Sequence, residues 1–153
     1  MATQELDKAK AVQLLNRILE MELAGVVRYT HYSLMVYGHA RIPIVAWLRG
    51  EATKAMAHAQ KAGEIVTHLG EHPSLGIGPL LETQRHQIDE ILRESLDHER
   101  ATLEMYRELL QLSEGRSTML EEFARELIYQ EELDAGEVDK MLRKPGEVAK
   151  FSK

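Results

Sequence analysis

Five side chains able to offer oxygen or nitrogen to a metal interrupt apolar stripes of helical spacing: Glu22, His58, Glu99, Glu131 and Asp134. Glu22 falls among Leu15, Ile18, Val26 and Tyr29, and His58 among Ala55, Ala62, Ile65 and Leu69. Glu99 breaks the run of Leu92, Leu96, Leu103, Tyr106 and Leu110. Glu131 and Asp134 stand three apart in a fourth stripe of Leu120, Ala124, Leu127, Val138 and Met141, so both face one way on a helix. An unpaired charge buried among such neighbours costs roughly several kcal/mol. Four carboxylates brought together must therefore protonate, find basic partners or bind cations. Two divalent ions would balance them. Oxygen-rich ligation with one imidazole suits iron(II), manganese(II) or zinc better than copper(I), which prefers sulfur.

The stripes predict four helices. The first, α1, spans about 5–39, with Gly38 and Pro43 bracketing its exit. The second, α2, spans about 43–69, with Pro43 in its first turn and Gly70 after its end. Its seam of Leu48, Ala52, Ala55, Ala59, Ala62, Val66 and Leu69 alternates steps of four and three, as a bundle face does. Residues 70–81 form the long irregular connection, and an extended chain of that length reaches roughly 40 Å. Helix α2 is also about 40 Å long at the rise of an α-helix. The connection can therefore run the length of the bundle, starting α3 (about 82–113) from the same end as α2. Ser113-Glu114-Gly115 ends α3, and Thr118 with Glu121 predicts a capping box opening α4, about 118–143, before Pro145. The expected architecture is all-α: an antiparallel four-helix bundle with one long crossover between α2 and α3, forming one domain over 1–153. Each ligand-type residue lies near the middle of its helix, so antiparallel packing brings all five to one height.

Composition narrows the function classes. With 44% hydrophobic and 29% charged residues the chain reads as globular, and with only 5% aromatics its packing must rest on aliphatic side chains, which suits helices. A net charge of −6 argues against nucleic acid as a partner. The absence of cysteine excludes disulfides, thiolate zinc sites and iron–sulfur clusters. The N-terminus lacks the regions of a signal peptide, and no apolar run is long enough for a membrane span, so a soluble cytoplasmic protein is expected.

Other polar residues read as ordinary. Glu20 groups with Gln13, Asn16 and Arg17 on the wet side of α1, and His98, one position off the Glu99 face, is expected at the surface. His31, His39, His68, His72 and His86 follow no ligand spacing, and Tyr29 reads as packing.

These residues resemble the ferritin-like superfamily, and within it the bacterioferritins, over about residues 12–142. The resemblance rests on Met21-Glu22-Leu23 followed by Tyr29, on Met56-Ala57-His58-Ala59, on Glu99, and on Glu131-x-x-Asp134. The class places a Glu from each of two helices and a Glu-x-x-His motif from each of the other two around a metal pair. The resemblance implies that Glu22 and His58 ligate one iron and that Glu99, Glu131 and Asp134 serve a second, with Glu131 bridging. Two departures stand out. Ala55 replaces the Glu of the α2 motif, and Asp134 replaces the His of the α4 motif. A one-residue deletion before α4 aligns Asp134 and places Val138 and Leu142 in the core; without it Glu132 and Ala135 fill the positions. Glu51, one turn before Ala55, is a candidate substitute for the lost carboxylate. Lys54 could turn inward as a counter-charge, but the expectation is a solvated lysine. Met56 matches the methionine by which bacterioferritin dimers sandwich a haem, which implies haem b and a homodimer. The short tail after Pro145 leaves no substantial fifth helix, favouring the dimer over a larger cage.

The function implied is iron binding in storage and homeostasis. It comprises two irons per subunit (manganese or zinc as alternatives) and ferroxidase activity with oxygen or peroxide. Ala55, Asp134 and Lys54 motivate an alternative, a non-catalytic subunit, structural or haem-carrying, that pairs with an active partner. A metal-free, haem-free helical interaction module is the third reading.

Overall fold

The apolar stripes fold as helices α1 (Lys8–Met35), α2 (Arg41–His68), α3 (Ile88–Ser113) and α4 (Thr118–Leu142). The structure is a computed structural model that describes residues 4–80 and 83–151. Among them there is no strand, and no helix is long and apolar enough to cross a membrane.

Local chemistry moves several helix ends from their expected places. Asp7 caps α1, its carboxylate accepting from the Lys10 amide at 3.1 Å. At the other end Val36 is extended, and the Arg41 guanidinium donates to the Ser33 and Val36 carbonyls at 3.3 and 2.5 Å. Those are acceptors a helix end would otherwise leave without partners. Helix α2 starts at Arg41 with Pro43 in its first turn, where a missing N–H is harmless. Helix α3 starts at Ile88, not 82, because Gln84 takes φ 56° and Gln87 is extended; residue 82 itself lies outside the described residues. Ser117, not Thr118, caps α4, accepting from the Leu120 amide at 3.3 Å. The turn at Gly115 (φ 73°) presents its own N–H to the Glu121 carboxylate at 2.6 Å, so the capping box does not form.

Side-chain pairs fix the directions. Tyr29 meets Glu99 and Glu22 meets Tyr106 between α1 and α3, while Lys54 meets Asp134 and Lys61 meets Glu126 between α2 and α4. Numbers rise on one helix as they fall on the other, so both pairs are antiparallel. The crossover climbs the outside of α1. The Asn16 side chain accepts from the Ser74 amide at 2.9 Å, and the Ser74 hydroxyl donates to the Glu20 carboxylate at 2.6 Å. The Gly78 amide donates to the Glu20 carbonyl at 2.8 Å, and Arg28 Nη2 donates to the Pro79 carbonyl at 2.8 Å. Glu20, expected to be merely wet, thus anchors the crossover that delivers α3 to the bundle.

The core is split. One end is a large cluster that includes Leu15, Ile18, Ala59, Ala62, Val66, Tyr106, Leu109, Leu120 and Leu127. The other end holds Tyr29, Tyr32, Val36, Val45, Leu48 and Ile91, with Leu92, Leu96 and Val138 beside them. Each fully buried Leu or Ile contributes about 1.5–3 kcal/mol. The polar residues of the bundle interior lie in the layer between the two ends.

The crossover is tightest at Gly78, where an added Cβ would lie 3.1 Å from the Glu20 carbonyl oxygen and 3.2 Å from Met21 Cα. Gly78→Ala is expected to destabilise the fold by about 1–3 kcal/mol through overpacking against backbone. Gly76→Ala, whose added Cβ would meet only side-chain atoms of Glu20 and Ser74 at 3.2 to 3.4 Å, should cost less. Urea unfolding of the two variants checks the order.

Candidate metal centre

The middle layer is a small cavity of about 10 Å³, room for one water-sized occupant. Its walls bring together all five side chains singled out from the sequence, Glu22, His58, Glu99, Glu131 and Asp134, and add Glu51, Lys54, Tyr29, His98 and Thr102. The five carboxylates and His58 are each 9% exposed or less. Such burial without compensation is not sustainable, so the partners of each group decide what the site can do.

Four of the five carboxylates divide into two groups. In the first, His58 Nδ1 lies 3.2 Å from Glu22 Oε2 and 3.3 Å from Glu131 Oε1. The ring nitrogen faces both oxygens but is aligned in a hydrogen bond with neither, and Glu131 Oε2 is also buried without a hydrogen-bond partner. One donor atom from each residue lies within 4.8 Å of the others, the grouping among the described residues that fits a metal ion. Gln130 sets the ring. Its amide nitrogen donates to Glu126 at 3.2 Å, which turns its oxygen toward His58 Nε2 at 3.0 Å. In the neutral ring the proton is then on Nε2 and the lone pair on Nδ1, pointing into the cavity. Tyr106 donates to Glu22 Oε1 from the apolar end at 3.4 Å.

In the second group, Lys54 Nζ donates to Glu51 Oε1 at 3.1 Å and to Asp134 Oδ1 at 3.0 Å. Glu99 belongs to neither group: it neighbours Glu131 and Asp134 and accepts a hydrogen bond from the Tyr29 hydroxyl. The inner face of α2 has only Ala55 here, so no further carboxylate reaches in.

The electrostatics follow from burial and these neighbours. Burial raises Glu22 to about 7, although contact with His58 pulls it back down. Burial alone would lower His58, but Glu131 and Glu22 outweigh it and push the imidazole up to about 10. Burial, then the charges of Asp134 and Glu99, raises Glu51 to about 7 despite Lys54. Burial and then Glu131 hold Glu99 well above the usual carboxylate range, and burial likewise raises Glu131. Lys54, which burial would lower, is held above its ordinary value by Asp134 and Glu51. His98 goes the other way: burial and the nearby Arg28 lower it to about 4, so its ring is neutral.

Several expectations change. His98 is buried, at 6% exposed, rather than at the surface. Gly25 makes room for it, since a Cβ there would lie 3.0 Å from His98 Nε2 and 3.4 Å from the Ala55 Cβ. Lys54 is not a purely solvated lysine; half its side chain is exposed, yet its head bonds inward. Tyr29 packs, as expected, and also hydrogen-bonds Glu99. Glu51 lines the cavity, but as a partner of Lys54. Glu132 is on the surface, bonded by Arg107 at 3.1 Å, and Asp134 is the residue that faces inward, which favours the shorter connection before α4. Met56 lies on the outer side of α2, 39% exposed, and does not line the cavity. No motif marks Lys54 or His98; the glycine opposite His98 is the one available signal.

A model of the ferritin-like domain matches residues 12–146. No curated protein matches the sequence. Among solved structures, a ferritin-like diiron-carboxylate protein of Bacillus anthracis superposes with a TM-score of 0.85 at 20% identity, over 92% of this chain and 100% of that one. A dodecameric thioferritin of Bacteroides fragilis gives 0.85 at 19% identity, over 90% and 87%. The bacterioferritin of Desulfovibrio desulfuricans, described with its diiron site in different catalytic states, gives 0.76 at 27% identity, over 88% and 79%.

The raised groups make a stability prediction for the metal-free protein. Between about 4.5 and about 7 folded Glu22 holds a proton that the unfolded chain has released, and between about 6.5 and about 10 folded His58 does the same. Bound protons favour the folded state in both windows, so stability from the site is lost as pH rises. Glu22 alone accounts for on the order of 3 kcal/mol across its window. The melting temperature of metal-free protein is expected to fall from about pH 5 to about pH 9, and His58→Gln should flatten the upper part of that slope.

Proposed function

The chain belongs to the ferritin-like domain family, and from that premise we propose that it binds iron in the bundle core and serves iron storage, with Fe(II) oxidation as its chemistry. The observation that carries this reading is the buried His58 Nδ1, without a hydrogen-bond partner and set between Glu22 and Glu131. Iron is cargo and substrate here. Glu22 and Glu131 supply carboxylate oxygens and His58 supplies an imidazole lone pair, a donor set that tolerates both ferrous and ferric iron. Held this way, a ferrous ion gives up an electron to dioxygen or peroxide more readily than a free ion does.

The protein's own groups do the rest. Gln130 holds the imidazole in the binding tautomer, and the Glu126 carboxylate holds Gln130. Carboxyl groups that are protonated when metal-free release protons as a cation enters. Tyr29 orients Glu99 toward the same layer. The clusters at either end keep bulk water from the ligands.

Lys54 favours a second reading, a non-oxidising structural or haem-carrying subunit, because its ammonium already neutralises part of the site. Met56 on the outer side of α2 is the candidate haem ligand in that case, shared across a homodimer. The Bacteroides fragilis relative is a dodecamer, and self-association of this chain, as a dimer or a larger shell, is part of the proposal.

Anaerobic Fe(II) titration tests the claim. Wild-type protein should bind saturably, and His58→Ala or Glu131→Ala should weaken binding by about tenfold or more. Glu132→Ala, a surface change, should bind like wild type. On adding oxygen, near-ultraviolet absorbance should grow faster in wild type than in Glu99→Ala. Absence of saturable binding would falsify the iron reading. Binding without oxygen-dependent growth, together with a Soret band lost in Met56→Leu, would establish the second reading instead.

A further inference from the structure

Four of the five buried carboxylates converge on two different nitrogen atoms, and the fifth, Glu99, is bonded by the Tyr29 hydroxyl. Glu22 and Glu131 approach His58 Nδ1, which is aligned in a hydrogen bond with neither and which a metal would engage in place of a proton. Glu51 and Asp134 approach Lys54 Nζ, at 3.1 and 3.0 Å, and are bonded to it. The first group has polar atoms without hydrogen-bond partners; the second has a cation already in place.

We infer that the centre takes one metal ion, held by Glu22, His58 and Glu131, and that the Lys54 ammonium is the second cation, fixed where Glu51 and Asp134 converge. This rests on the metal-binding reading above and limits it. Metal–oxygen bonds are near 2.0–2.2 Å, so a metal at the point where Glu51 and Asp134 meet would need the space of the Nζ atom. Ala55 presents only a methyl group to this part of the cavity, and Glu99, the remaining carboxylate there, is already engaged by the Tyr29 hydroxyl. The trio around His58 is the grouping among the described residues whose donor atoms are close enough to share an ion. An ammonium in place of a second divalent ion also changes the chemistry on offer. A lone ion can pass on one electron at a time, whereas a metal pair can share two.

Counting manganese(II) decides the matter. Metal-free wild-type protein is given excess Mn(II), loosely held metal is removed by gel filtration, and the bound ion is counted by elemental analysis. The electron paramagnetic resonance spectrum is recorded on the same sample. The expected result is one Mn(II) per chain with the hyperfine pattern of an isolated ion. The double variant Lys54→Ala with Ala55→Glu removes the ammonium and adds a carboxylate; it should bind twice as much Mn(II) and show an exchange-coupled pair. Two ions and a coupled spectrum in wild type would overturn the inference and leave the metal-binding reading standing. No bound Mn(II) in wild type would overturn both. One ion in a folded double variant would remove Lys54 from its assigned role. Should that variant fail to fold, the wild-type count and spectrum decide alone.

Discussion

The burial of five carboxylates between two apolar clusters is the constraint on which the rest of the structure depends. An ionised carboxylate in such a place is tolerated only when paired, hydrogen-bonded or protonated. Each of the three remedies is present. Glu22 and Glu131 are set against His58, Glu51 and Asp134 against Lys54, and Glu99 keeps a raised pKa while accepting from Tyr29. The remedies are interdependent. Removing one partner of a buried ion pair leaves the other uncompensated, at a cost of about 3–5 kcal/mol. Any metal that enters must do better than the protons and the imidazolium it displaces, which makes binding a competition rather than the filling of a void.

Meeting that constraint requires four helices to present their polar residues at one height, and the connections see to it. The crossover is tied to α1 from Asn16 to Arg28, so α3 begins beside the far end of α1 and runs back down. Glu99 and Tyr29 meet as a result. Small residues then adjust the width of the layer. Gly25 on α1 accommodates the His98 ring, and Ala55 and Ala59 keep the inner face of α2 slim opposite the long side chains of α3 and α4. A bulky residue at any of these positions would widen the layer and separate the ligands from His58.

Much of this is legible in the sequence. The alternating three- and four-residue steps mark the helices, because packing on an apolar seam is a local and periodic demand. The five ligand-type residues are visible for the same reason: a Glu or His in the middle of an apolar seam violates the pattern. Helix ends are less legible because they depend on single contacts, such as Asp7 with the Lys10 amide or Gln84 with its positive φ. His98 reads wrongly as exposed because its burial depends on a glycine in another helix rather than on its own phase. Lys54 reads wrongly as solvated because the direction of a long flexible side chain depends on where carboxylates lie across the bundle. Phase along α2 places its Cα at the edge of the seam, and Glu51 together with Asp134 on α4 brings its ammonium inward.

Lys54 and Ala55 are best understood as one feature of α2 rather than two. Glu51, Ala55 and His58 share the inward face, and Lys54 stands at its margin with half its side chain in water and its head turned in. A glutamate at position 55 would add a sixth carboxylate to the layer beside Glu99. The alanine withholds that negative charge and the neighbouring ammonium adds a positive one, so both changes act in the same direction on that half of the cavity. Glu51 and Asp134 then share an ammonium without any metal, although burial and neighbouring carboxylates still raise Glu51. Glu22 and Glu131 share only an imidazole, whose Nδ1 is not aligned with either of them, and Glu131 keeps an oxygen without a partner. The two halves of one cavity are therefore unequal: one already holds an ammonium against its carboxylates, and the other has only an imidazole nitrogen and a carboxylate oxygen without aligned partners.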